Sequence, residues 1–296
     1  MASDRELKLR IRSVKGIGQL TKAMKMVASA QLRKVESRSR AAKPYTEKLK
    51  AVVGELATQV GEEGENPLMV PHKRSEKSRV AIIIIGSDGG LCGSYNTNAF
   101  KYIENDLQKS KINPVRIITL GKKASRYFEK RGFSIDYVIN NWHPDYKLGK
   151  ELCERCCQWF LNNEVDEVFI YYTEALTMVK CEPRRLRLLP LATERLQSAE
   201  PGPAAAELPH GVDYIFEPNA QEALNVIVPN YLRIVMQQVL LESKTSELGS
   251  RLTAMSTATE NADELARQLT LQYYRIRQNN LTTEIIEIAS GADALA

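Results

Sequence analysis

Between residues 219 and 290 the chain repeats an apolar side chain every three or four positions without losing step. From Leu224 the walk runs through Ile227, Tyr231, Ile234, Gln238, Leu241, Thr245, Leu248, Leu252, Met255, Thr259, Ala262, Ala266, Leu269, Tyr273 and Ile276. Only Gln238, Thr245 and Thr259 interrupt an apolar or aromatic series. A period of 3.5 held over so many turns is a coiled-coil seam, because a shorter globular helix would not sustain it. No proline follows Pro229, and Gly249 is the only glycine before Gly291. The roughly sixty residues between them would make one helix of about 90 Å. A helix of that length is expected to protrude from any domain this chain can build.

The first sixty-six residues answer it. Leu7, Ile11, Val14, Thr21, Met24, Ala28, Leu32, Val35, Ala42, Leu49, Val53, Leu56 and Val60 follow the same alternation, with Gly18, Ser39 and Thr46 in its gaps. Ser3 ahead of Glu6 reads as a capping-box start. Gly16, Gly18 and Pro44 weaken the helix, Pro44 is expected to kink it, and Gly61, Gly64 and Pro67 to end it. Residues 1–50 hold fourteen Lys/Arg against four Asp/Glu, and residues 240–296 five against eight. Two helices of matching length and opposite charge pair most economically with each other, antiparallel. A parallel homodimer would also satisfy the heptads.

The middle, residues 77–217, alternates strand and helix. Residues 79–85 are a β-branched run suited to a strand covered on both faces. A glycine-rich turn and a helix over 96–108 follow. Further strands are expected at 115–120, 135–139, 167–172 and 179–191, the last broken near Pro183, with helices through 127–131 and over 147–162. Strands alternating with helices imply a mainly parallel, Rossmann-like α/β sheet. Residues 198–211 read as a loop by composition. The fold class is therefore mixed: a central α/β domain (77–217) between an N-terminal coiled-coil helix (1–66) and a C-terminal one (219–290).

Three constellations could carry chemistry. The run Gly-Ser-Asp-Gly-Gly-Leu-Cys-Gly at 86–93 lies between a strand and a helix, where phosphate loops lie. It lacks both the Walker lysine and the G-x-G-x-x-G spacing, and a tight connection relying on positive φ explains its glycines as well. Cys153, Cys156 and Cys157 have no second pair to complete a structural zinc site. Their i, i+3, i+4 spacing ahead of Phe160 is that of a buried helix stripe. The basic N-terminal run could be a nucleic-acid arm, but no aromatic residue interleaves before Tyr45, and its charges flank an apolar seam. His72, His143 and His210 stand apart, and no catalytic residue, metal site or cofactor site can be assigned.

The longest apolar run, 80–85, is far short of a membrane span. The chain opens on Asp4, Arg5, Glu6 and Lys8 rather than an apolar segment, so no signal peptide is expected. Five unevenly spaced cysteines fit a reducing compartment.

The closing stretch Leu-Thr-Thr-Glu-Ile-Ile-Glu-Ile-Ala-Ser-Gly-Ala-Asp-Ala, 281–294, resembles the C-terminal signature of gamma subunits of F-type ATP synthases. The segment 11–30 is similar to that family's conspicuous N-terminal stretch, and 86–96 to its central motif. The departures are local: Leu281 stands where isoleucine is usual, and Tyr274 where asparagine is common.

What the resemblance implies is a non-catalytic rotor shaft of a bacterial-type ATP synthase, one copy per complex. Its partners would be the hexamer of alpha and beta subunits, the epsilon subunit and the ring of c subunits, at the cytoplasmic face of the plasma membrane, with no cofactor. Lys22, Met24, Lys25, Arg277, Gln278 and Thr282 match the family's contacts with the hexamer. Two other classes stay open on the residues alone: a coiled-coil nucleic-acid-binding protein, and a nucleotide-binding α/β enzyme using 86–93.

Overall fold

A computed structural model describes residues 4–60, 66–72, 78–177, 180–191 and 219–293. The chain divides into two compact units, one of residues 1–29 with 251–296 and one of residues 30–250. Two long helices run through both: α1, Asp4–Val60, and α5, Ala220–Asp293. Helix α1 continues through Pro44 and α5 through Pro229. Ser3 lies outside the described residues, as do Gly61, Gly64 and the 198–211 loop, while Glu6 takes a hydrogen bond from Arg10 (2.6 Å). Helix α5 starts on an N-cap: the Asn219 side chain accepts from the Glu222 N–H (2.8 Å), and its amide donates to the Glu222 carboxylate (3.1 Å).

In the first unit the two helices pair antiparallel. Lys8 lies over the Tyr273 ring, Gly18 faces Ala262, Thr21 meets Thr259 and Lys25 meets Ser256, so numbers fall along α1 as they rise along α5. The partners are small: a Cβ added to Gly18 would lie 3.5 Å from that of Ala262. The pairing is within one chain, as charge and length predicted, and every seam position of α1 and α5 whose side chain is described is buried or half-buried.

The second unit is built on a five-stranded sheet, ordered β3-β2-β1-β4-β5. Its strands are β1 Val80–Ile85, β2 Pro114–Leu120, β3 Tyr137–Ile139, β4 Glu167–Ala175 and β5 Cys181–Leu189. The first four are mutually parallel and β5 runs antiparallel beside β4. Helices α2 (Tyr95–Lys109), α3 (Lys122–Glu129) and α4 (Tyr146–Leu161) connect them.

Central β1 is buried along its whole length and alternates between two cores. Val80, Ile82 and Ile84 pack with α2 and α3, while Ala81, Ile83 and Ile85 pack with α4, the end of α1 and the start of α5. Strand β5 corrects one expectation: it is not broken at Pro183, which pairs opposite Thr173 within a continuous ladder. An edge strand tolerates proline, because the missing N–H can point away from the sheet.

Candidate functional site

The strand order reverses direction at β1, whose neighbours β2 and β4 lead to opposite edges. In open α/β sheets the crevice beyond the strand ends at such a point is where nucleotides bind. Residues 86–93 occupy it. Their polar groups are committed inside the chain. The Ser87 hydroxyl donates to the Gly89 carbonyl (2.7 Å), and the Asn96 side chain accepts the Ser87 N–H (3.1 Å) and donates to the Ser87 hydroxyl (2.7 Å). The Trp142 indole N–H donates to the Gly86 carbonyl (3.0 Å). The Asp88 carboxylate accepts the N–H of Lys122, first residue of α3, at 3.2 Å, and that of Asn141 at 2.8 Å. That carboxylate ties the loop to the start of α3, beyond β2, while the helix that directly follows the loop is α2.

Glycine is required here partly for space. A Cβ on Gly86 would lie 2.9 Å from Ala124 Cβ and 3.1 Å from Phe100 Cζ. Positive φ falls on Leu91 (61°) and Gly93 (58°). Helix α5 closes the crevice: the Tyr95 hydroxyl is 2.9 Å from that of Ser243, and the Lys244 ammonium lies over the Trp142 ring. Burial, and then the nearby Glu247 charge, push the Tyr95 phenol well above its usual range. This is the wiring of a buttressed strand-to-helix connection.

The cysteines behave as a packed stripe. Cys153 and Cys156 are buried in the core between α4 and the long helices, with Cys157 half-buried against it. Contact with Cys157 and burial push the Cys153 thiol up, and burial does the same to Cys156. Among the described residues no group of three His, Cys, Asp or Glu could hold a metal ion. His72 stacks on Phe160 with ring centroids 4.2 Å apart, His143 is exposed, and His210 lies outside the described residues.

The unit of residues 1–29 and 251–296 offers a surface instead of a cleft. Past Ile276 every residue through Ala292 is exposed, including Leu281, Ile285, Ile286 and Ile288; Ile288 is 73% exposed. On α1 of the same unit Leu9, Ile17, Leu20, Met26 and Val27 are exposed too. Large apolar side chains of both helices of this unit are thus left in solvent.

The six sequence-predicted contact residues lie in this unit. Lys22 is exposed, Met24 is half-buried, and Lys25 is half-buried with its ammonium donating to the Ser256 hydroxyl (2.9 Å). Arg277, Gln278 and Thr282 lie together beyond the seam, and the Thr282 hydroxyl donates to the Gln278 carbonyl (2.9 Å). Sequence reasoning missed the exposed apolar residues of α1, which sit off the seam it followed.

A family model described as ATP synthase matches residues 3–295. A protein of Chloroherpeton thalassium named ATP synthase gamma chain is 40% identical, covering all of this chain and 99% of the relative. Another gamma chain, from Halothermothrix orenii, is 35% identical over the full length of both. The chain belongs to the ATP synthase gamma-chain family. Gamma chains so named therefore share its sequence from end to end, both long helices and the α/β domain included.

Two solved structures share the fold. A chain of the Euglena gracilis mitochondrial ATP synthase is similar at TM-score 0.66 and 17% identity, covering 99% of this chain and 94% of that one. A chain of the Tetrahymena thermophila central stalk and c-ring is similar at TM-score 0.59 and 21% identity, covering 81% and 99%.

Proposed function

We propose that this gamma chain is the central rotor shaft of a proton-translocating ATP synthase. In this reading α1 and α5 form the shaft, and the exposed end of α5 seats in a hexamer of alpha and beta subunits. The α/β domain is the foot, meeting the epsilon subunit and the c-subunit ring, with one shaft in each complex. Turning of the ring turns the shaft, whose asymmetry carries the catalytic beta sites through different affinities. ATP hydrolysis drives the cycle backwards. The chain itself is non-catalytic and associates with the cytoplasmic face of the plasma membrane through the complex. Among the described residues no helix is long and apolar enough to cross a membrane.

The observation that carries the reading, given the family, is the bare apolar end of α5. Ile285, Ile286 and Ile288 have no core to join and are 58–73% exposed. Apolar contact is non-directional, so it suits a bearing whose partner changes with rotary angle. Lys22, Met24, Lys25, Arg277, Gln278 and Thr282 supply further contacts with the hexamer.

Affinity purification of the tagged chain from source membranes tests this. Alpha, beta, epsilon and c subunits should copurify with it, and the contaminant-free chain alone should not turn over ATP. Recovery of the chain without those subunits, or ATP turnover by the chain alone, overturns the reading.

A further inference from the structure

Between residues 243 and 250 the face of α5 turned toward the α/β domain is polar. Ser243, Ser246, Glu247 and Ser250 fall at i, i+3, i+4 and i+7, which is one helical face, and the first three are fully buried. Just before them α5 packs on the same domain through Leu232, Met236, Val239 and Leu240, all apolar. The change is abrupt, and nothing about burial demands it, since apolar residues would fill the same space.

The contacts of the stripe reach three elements of the domain, α2, β4 and β5. The Tyr95 hydroxyl, at the start of α2, is 2.9 Å from the Ser243 hydroxyl and 3.3 Å from the Ser243 carbonyl. The Ser246 hydroxyl donates to the Thr173 carbonyl of β4 at 2.8 Å. The Cys181 thiol of β5 lies 3.8 Å from the Ser246 carbonyl, and the Ser250 hydroxyl 3.8 Å from that thiol. Lys244 bridges to the buried Glu247 (2.9 Å) and covers Trp142, 4.9 Å from the ring centre. One face of the helix is thus held to all three elements.

Apolar packing is non-directional, and a helix held by it alone can turn about its axis by repacking. Buried hydrogen bonds have fixed geometry, and a turned helix leaves their donors and acceptors unmade in a dry site. We propose that the 243–250 stripe is a rotational clutch, fixing the angular position of α5 in the α/β domain so that twisting load passes between them without slip. Tyr95 and Ser246 are its positioning residues, and the clutch rests on the rotor reading above.

The test uses the whole membrane complex carrying Tyr95→Phe with Ser246→Ala, in inverted vesicles. ATP-driven membrane potential is followed with a voltage-sensitive dye beside phosphate release. ATPase of the detached catalytic sector, where the foot carries no load, should stay within about twofold of the parent. The maximal potential should fall severalfold while hydrolysis continues. An assembled variant that reaches the parental potential overturns the clutch, even if its melting temperature is lower, since a merely structural role moves only the melt. Should the double variant fail to assemble, Tyr95→Phe alone, which keeps the ring, is read the same way. Failure of the rotor reading would show earlier and separately, as a parental chain absent from the purified complex.

Discussion

The hydroxyls of Thr21 and Thr259 face each other 2.8 Å apart across the helix pair of the first unit. Thr21 also reaches the Gly18 carbonyl (3.0 Å) and Thr259 the Met255 carbonyl (2.7 Å). Two hydroxyl protons thus serve three contacts, and the cross-helix bond competes with the two local ones. Removing one hydroxyl loses the cross-helix bond and leaves the other oxygen with only its own helix carbonyl as a partner, while removing both leaves an apolar contact of the same shape. Thr21→Val or Thr259→Val alone should cost about 1 kcal/mol of unfolding free energy, and the double variant no more than either single. Urea denaturation of the four proteins checks it, and additive losses would contradict it.

Gly86 and Gly90 should respond in opposite ways to alanine. The Gly86 Cβ would meet Ala124 at 2.9 Å and the Phe100 ring at 3.1 Å, both inside the packed core beside α2 and α3. Overpacking of this kind costs about 1–3 kcal/mol. A Cβ on Gly90 meets nothing within 4 Å. Gly86→Ala should lower the melting temperature by several degrees and Gly90→Ala should leave it nearly unchanged, as read by thermal unfolding of the purified chain. Equal effects would show that the loop's glycines serve backbone conformation alone.

Glu242 lines a cavity of about 290 Å³ between α1, α5 and the β4–β5 edge. Burial raises its carboxyl above the usual range, Gln238 (3.1 Å) and Lys43 oppose the rise, and Glu174 adds to it. The folded chain therefore binds this proton more tightly than the unfolded chain does. That contribution to stability is complete below the ordinary carboxylate value and is lost as pH rises through the raised one. Glu242→Gln removes the titration. Its melting temperature relative to the parent should be level near pH ~4 and climb as pH rises beyond that. A difference that is flat with pH, or that falls, would contradict the assignment.

How much of this was legible differs by element. The seams were readable because burial along a long helix depends on spacing alone, and Leu7, Leu32, Leu224 and Met255 are buried where the walk put them. The Asn219 N-cap, with Glu222 three residues on, carries a sequence signature that could have been found. Pro183 misled because its cost depends on whether the strand lies at an edge, which no local window shows. The wiring of residues 86–93 was hidden for a related reason. Asp88 is satisfied by Lys122 and Asn141, and Tyr95 by Ser243, partners 34 to 148 positions away. The polar stripe on α5 escaped because serine on a helix face reads as solvent-facing until the fold shows what covers it.

The last prediction concerns Arg277 and Gln278. Both are exposed, one turn beyond Tyr273, on a stretch of α5 where every residue to Ala292 is exposed. A solvated arginine there would contribute little, as exposed ion pairs generally do. In the rotor reading the two side chains hydrogen-bond a polar loop of a beta subunit at one rotary angle. A contact made and broken in each cycle changes rate more than assembly, since its energy is absent from most of the cycle. Arg277→Ala with Gln278→Ala should give a complex of parental subunit composition with turnover reduced several-fold, or about 1–2 kcal/mol at the limiting step. Steady-state ATP synthesis and hydrolysis by the purified, subunit-matched complexes decide it. Parental rates in both directions would make the pair ordinary solvated surface and remove it from the hexamer contact.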